Sequence, residues 1–125
     1  MIVGEISLLD LESIYRRMKL PEPLVYVYED EGLITGYIHP DQGTAHVEHM
    51  IVLPEARRKF HTMMAMSRDC TALLHARGLD VILKILNDDP RTGLRAWAKR
   101  MQYEPYLTDS DAVWYVNRAP RKPNG

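Results

Sequence analysis

A chain of 125 residues, 46% hydrophobic and 26% charged, is long enough for one domain with a two- or three-layer core and has an ordinary globular composition. Its formal net charge of −1 gives no global drive towards nucleic acid, and Cys70 is the single cysteine, which excludes an internal disulfide. No run of about 18 apolar residues and no signal-peptide core occurs, so the sequence predicts a cytoplasmic protein with no membrane partner.

Residues 1–3 form a candidate edge strand. Ser7 is placed to cap a helix, with Asp10 three residues on, and Leu8, Leu11, Ile14, Tyr15 and Met18 fall on one face of it. Arg16, Arg17 and Lys19 complement the negative end of its dipole, and Pro21 and Pro23 stop it. Strands follow over 24–28 (LVYVY), 33–39 (LITGYIH) and 44–53, separated by turn sequences EDEG and PDQG. They predict an antiparallel meander in which Gly36 marks a bulge or a close backbone approach.

The stretch 44–78 (TAHVEHMIVLPEARRKFHTMMAMSRDCTALLHARG) organises the rest. Pro54 ends the third strand, and a long helix is predicted from about 55 to 77, with Phe60, Met63, Met64, Cys70, Leu73 and Leu74 inward and Gly78 as its C-cap. On that face Cys70 reads as a buried, inert thiol. Arg57, Arg58 and Lys59 crowd positive charge at the helix N-terminus, against the dipole, which points to an anionic partner. Aromatic interleaving of the kind that stacks bases is absent there apart from Phe60, so nucleic acid is disfavoured.

Residues 80–86 (DVILKIL) read as a strand buried on both faces. A short helix over 92–101 turns Leu94, Trp97, Ala98 and Met101 inward, and a last hairpin runs over 103–107 and 112–117. A single domain over 1–118 and a polar tail over 119–125 are expected.

This order of elements, with Val52-Leu53-Pro54-Glu55-Ala56-Arg57 at the strand-to-helix turn and Arg100-Met101-Gln102-Tyr103 after the short helix, resembles the GCN5-related N-acetyltransferase (GNAT) family. The resemblance covers roughly residues 24–118 and is best over 46–104. It implies an α/β fold with a mixed, mostly antiparallel sheet, one parallel pair and helices on both faces. It also implies acetyl-CoA as cofactor, with the pyrophosphate at the turn before the long helix and the pantetheine arm between two splayed strands. Laid on the family's phosphate loop, Arg57 takes the first position, whereas Phe60 and Thr62 stand at the two small positions. The tyrosine that many members use as general acid falls near Ala98.

By strand alternation His46, Glu48 and Met50 share one face, and Val47, His49 and Ile51 the other. The family often takes its general base from this strand, which here means His46 or Glu48; an ordinary polar strand face is the alternative. The implied cofactor residues are Arg57, Arg58, Lys59 and Thr62 at the phosphates, with backbone N–H groups near Ile51 and Val52 at the thioester. No metal is expected, because His46 and Glu48 lack a further ligand at a telling spacing. Two functions follow. One is an N-acyltransferase that uses acyl-CoA and an amine acceptor. The other is an inactive binding or structural protein of the same fold with a protein partner, such as a phage virion protein; an oligomer is compatible with either.

Overall fold

The computed structural model describes residues 21–56, 58–91 and 93–120. Three strands, β1 (Glu22–Tyr28), β2 (Gly32–His39) and β3 (Thr44–Val52), form the antiparallel meander, and helix α1 (Lys59–Ala76) then carries the chain to β4 (Asp80–Leu86). Helix α2 (Leu94–Arg100) and the hairpin β5 (Glu104–Thr108) and β6 (Ala112–Asn117) complete the chain. All six strands form one sheet in the order β1-β2-β3-β4-β6-β5, with β3 and β4 its parallel pair.

Several local choices explain this path. Pro23 is accommodated because β1 lies at the sheet edge, where a missing N–H costs no ladder bond. Gly78 adopts φ of 77° and closes α1 with bonds to His75 and, through Leu79 N–H, to Leu74, which is a Schellman motif. The helix begins at Lys59 and not near Glu55, because Leu53 to Ala56 close a turn (Ala56 N–H to Leu53 O, 3.1 Å) that buries Ala56. Its buried face is Thr62, Met66, Ser67, Cys70 and Leu74. Phe60 and Leu73, expected inward, are 56% and 58% exposed. At the other end of the chain Ala119 N–H donates to Asp80 Oδ1 at 2.8 Å, so the first residue of the expected tail is held to the sheet.

Both described helices cover the same side of the sheet. Met66, Cys70 and Leu74 of α1 and Trp97, Ala98 and Met101 around α2 pack into one core with Val81, Leu83 and Ile85 of β4. Leu83 and Ile85 are 8% and 2% exposed, as a central strand requires. The helix capped by Ser7 and the strand over 1–3 lie outside the described residues. Among the described residues no helix is long and apolar enough to cross a membrane.

Candidate functional site

The site begins with an irregularity between β2 and β3. Thr35 pairs with His49 and Gly36 with Val47, so Glu48 is an extra residue without a partner on β2. A side chain at Gly36 would run into the backbone of His46 and Val47, which is why only glycine allows the strands to close up here. The bulge reverses the alternation of β3. Ala45 and Val47 face the helices before it, and Met50 and Val52 do so after it. Met50 therefore leaves the face expected for it, and His49 joins His46 on the outer face of the sheet.

On its other side β3 loses its partner at the same point. The parallel pairing with β4 runs from Thr44 and Asp80 to Val47 and Leu83 and then stops. Beyond it the strands part and leave a cleft on each side. The helix-side cleft, about 250 Å³, is walled by Met50, Met63, Leu94 and Trp97, with Phe60 on its lining. The outer cleft, about 630 Å³, is lined by His39, His46, His49 and Trp114. Val47, Glu48, Lys84 and Arg91 line both, so the two clefts meet where β3 and β4 diverge.

His46 is half-buried, its ring edge-to-face with His39 at 5.0 Å and with Trp114 at 6.4 Å. Burial first, and the neighbouring His39 second, push its pKa below the ordinary value, while Glu48 pulls it up. The imidazole is thus neutral and able to accept a proton at pH 7. Glu48 is exposed at the bulge. His49 shares a 3.4 Å contact with Thr35 Oγ1. Arg91 is fixed by a two-pronged pair with Asp89 (2.7 and 3.0 Å), which holds the Asp89 carboxyl down at about 2.

The edge of β3 left open by β4 also exposes backbone. Leu53 N–H donates to Glu31 O at 2.8 Å, on the β2 side, so strand alternation turns the Ile51 N–H to β2 and the Met50 and Val52 N–H groups towards the opening. Of the pair singled out by sequence, Val52 carries the available donor.

At the head of α1, Arg58 is the N-cap residue and Lys59 the first helical residue; no side chain caps the helix. The first-turn N–H groups have no intrahelical partner, and both basic side chains are exposed. Thr62 differs. It is 3% exposed and its hydroxyl donates to Glu31 Oε2 at 3.2 Å, so this hydroxyl is engaged away from the turn. Arg57 lies outside the described residues.

Two other residues named from sequence fall in the core. Ala98, at the place of the family's tyrosine, is fully buried, and Tyr103 is 3% exposed, stacked on Trp97 at 6.4 Å. Burial pushes the Tyr103 hydroxyl up to about 12, with Thr71 hydrogen-bonded to it. Cys70 is equally inert, its thiol raised to about 11 by burial. Among the described residues no group of three or more His, Cys, Asp or Glu side chains is arranged to hold a metal ion.

Sequence reasoning missed Lys84, Arg91 and His39. Lys84 carried a readable signal, since it is the one charge inside an otherwise apolar strand core. Arg91 and His39 sit in or beside turns, where no periodicity marks them.

No family model and no curated protein matches the chain by sequence. Solved structures do match. The ribosomal-protein-S18-alanine N-acetyltransferase from Escherichia coli is similar with a TM-score of 0.62, at 11% identity over 97% of this chain and 95% of that one. The aminoglycoside 6'-N-acetyltransferase from Enterococcus faecium is similar with a TM-score of 0.62, at 16% identity over 97% and 86% of the two chains. The PaiA N-acetyltransferase from Thermoplasma acidophilum, solved in complex with coenzyme A, gives 0.59 at 16% identity over 88% and 69%. The chain therefore has the GNAT fold, with its mixed six-stranded sheet and one parallel pair.

Proposed function

We propose that the protein is an N-acyltransferase that takes its acyl group from acetyl-CoA and passes it to an amine. The observation that carries this reading is the parting of β3 from β4 at the Glu48 bulge, which joins two clefts at a proton acceptor. The helix-side cleft, narrow and largely apolar, fits a pantetheine arm better than it fits a charged ligand. Arg58 and Lys59, with the first-turn N–H groups of α1, would hold the phosphates. Arg57 belongs to the same basic run. The Val52 N–H, turned to the open edge, would polarise the thioester carbonyl.

When bound, the coenzyme supplies an activated acyl carbon. The chain's own residues supply the rest. His46 or Glu48 takes the proton from the acceptor ammonium in the outer cleft, and the free amine attacks across the strand opening. Neutral His46 suits that task, because burial keeps it unprotonated at pH 7. Neither Ala98 nor buried Tyr103 can return a proton to the leaving sulfur, so a solvent proton serves there.

Phe60 favours a second reading. An exposed aromatic ring lines the cleft mouth at a position where the family has a small residue, and Thr62 offers no free hydroxyl. On that reading the chain keeps the fold as a binding or structural protein. Calorimetric titration with acetyl-CoA separates the two. Saturable binding, with a dissociation constant of about 0.1 mM, supports the acyltransferase. Absence of heat at millimolar coenzyme leaves the binding protein.

A further inference from the structure

We propose that Lys84 is an internal acyl acceptor, so that the protein acylates its own β4 at the junction of the two clefts. The proposal rests on the acyltransferase reading and adds a site to it. Among the described residues Lys59, Lys84 and Lys99 carry amines, and of these Lys84 lines both clefts. Its place follows from the register. Leu83 makes the last pair with Val47, so Lys84 is the first residue past the pairing and stands across the opening from Glu48.

The ordinary role of such a lysine would be a solvated charge on a strand face. Two features go further. First, Lys84 is the only charged residue between Asp80 and Leu86, in a strand whose neighbours Leu83 and Ile85 are buried. Second, although Lys84 is exposed, its ammonium sits over the Trp114 ring of the outer cleft, 5.0 Å from the ring centre. His46 lies against the same ring on its own side, 6.4 Å between centroids. An amine, an aromatic seat for it and two proton acceptors thus share one cleft. That is the set an intermolecular amine would need.

The step balances without a further reactant. His46 or Glu48 removes one proton from the Lys84 ammonium. The nitrogen lone pair forms a C–N bond to the thioester carbonyl carbon, the nitrogen gives its second proton to solvent, and the C–S bond breaks. Its electron pair leaves on sulfur, which takes a proton from water. The product is an amide at Lys84, free coenzyme A thiol and one net proton released. The amide carries no charge, so the seat over Trp114 is lost.

The test is incubation of the full chain with acetyl-CoA at neutral pH, followed by peptide mapping of acetyl stoichiometry at Lys59, Lys84 and Lys99, with calorimetry of acetyl-CoA binding alongside. Lys84 should be labelled about 100-fold faster than Lys99, a margin typical of positioned acid–base chemistry. Glu48→Gln combined with His46→Asn should remove that margin while Lys59 and Lys99 keep their slow background. Lys84→Arg, which keeps the charge but carries no acylatable amine, should lose the fast label while Lys59 and Lys99 keep their slow background. Binding of acetyl-CoA with Lys84 labelled no faster than Lys99 overturns this proposal and leaves the acyltransferase reading intact. No binding at all overturns both.

Discussion

Gly36 and His46 sit so close across β2 and β3 that a Cβ on Gly36 would collide with the His46 carbonyl oxygen. This approach makes the Glu48 bulge possible, and the bulge sets every later feature of the site: the reversed faces of β3, the outward His49 and the open backbone edge at Val52. Gly36→Ala should therefore force backbone to move and cost about 2–4 kcal/mol, well above an ordinary surface change. Chemical denaturation measures it. A loss of a few tenths of a kcal/mol would show that the bulge does not depend on the missing side chain.

The core makes a second demand. Leu83→Asp or Ile85→Asp would put an unpaired carboxylate into the central strand β4, at sites 8% and 2% exposed. Each should cost several kcal/mol, roughly 3 or more, and Ile85→Asp the more of the two. A thermal shift of only a degree or two in both variants would contradict the central position of β4.

The fold favours neutral His46, because burial and His39 hold its pKa below the ordinary 6.5. The unfolded chain then binds the proton that the folded chain refuses, so stability falls as pH drops through about 6.5 and is fully present above it. His46→Asn should lessen the loss of melting temperature between about pH 7 and pH 5. An acid-side loss as steep in the variant as in the parent would place the sensitive group elsewhere.

Much of this architecture is legible in the sequence. A continuous apolar run with clear punctuation gives β4 its observed bounds, and Gly78 marks a real Schellman end. The parallel crossover from β3 to β4 follows from their order around a long helix. The site is less legible because it is built from an exception. In the string HVEHMIV one extra residue leaves no mark on the alternation, so Met50 reads as a companion of His46. The helix start misleads for a similar reason. Residues after Pro54 fit a helical period, yet a turn at Leu53 to Ala56 delays the helix, and the buried stripe runs through Thr62 and Met66 as well as the expected Cys70 and Leu74.

Phe60 is the residue through which coenzyme affinity should be tunable. It is 56% exposed and lines the helix-side cleft, so Phe60→Gly removes a ring at little packing cost beyond about 1 kcal/mol of helix propensity. The variant should bind acetyl-CoA more tightly than the parent, for which a dissociation constant of about 0.1 mM or weaker, about −5.5 kcal/mol or less favourable, is expected. In both proteins affinity should fall with added salt, because exposed Arg58 and Lys59 are screened. Thr62 is best left alone, since its hydroxyl ties α1 to Glu31. Tighter binding by the parent than by Phe60→Gly would mean that the ring contributes to the site.

The most direct test asks where the coenzyme goes. Backbone amide NMR of the isotope-labelled protein, titrated with acetyl-CoA, reads every strand and turn at once. Saturable shifts should gather at Glu48, Met50 and Val52 on the open edge of β3, at Lys59 and Phe60 in the first turn of α1, and at Lys84. Shifts confined to Lys59 and its neighbours, or no shifts at all, would contradict an acyl-transfer site between β3 and β4.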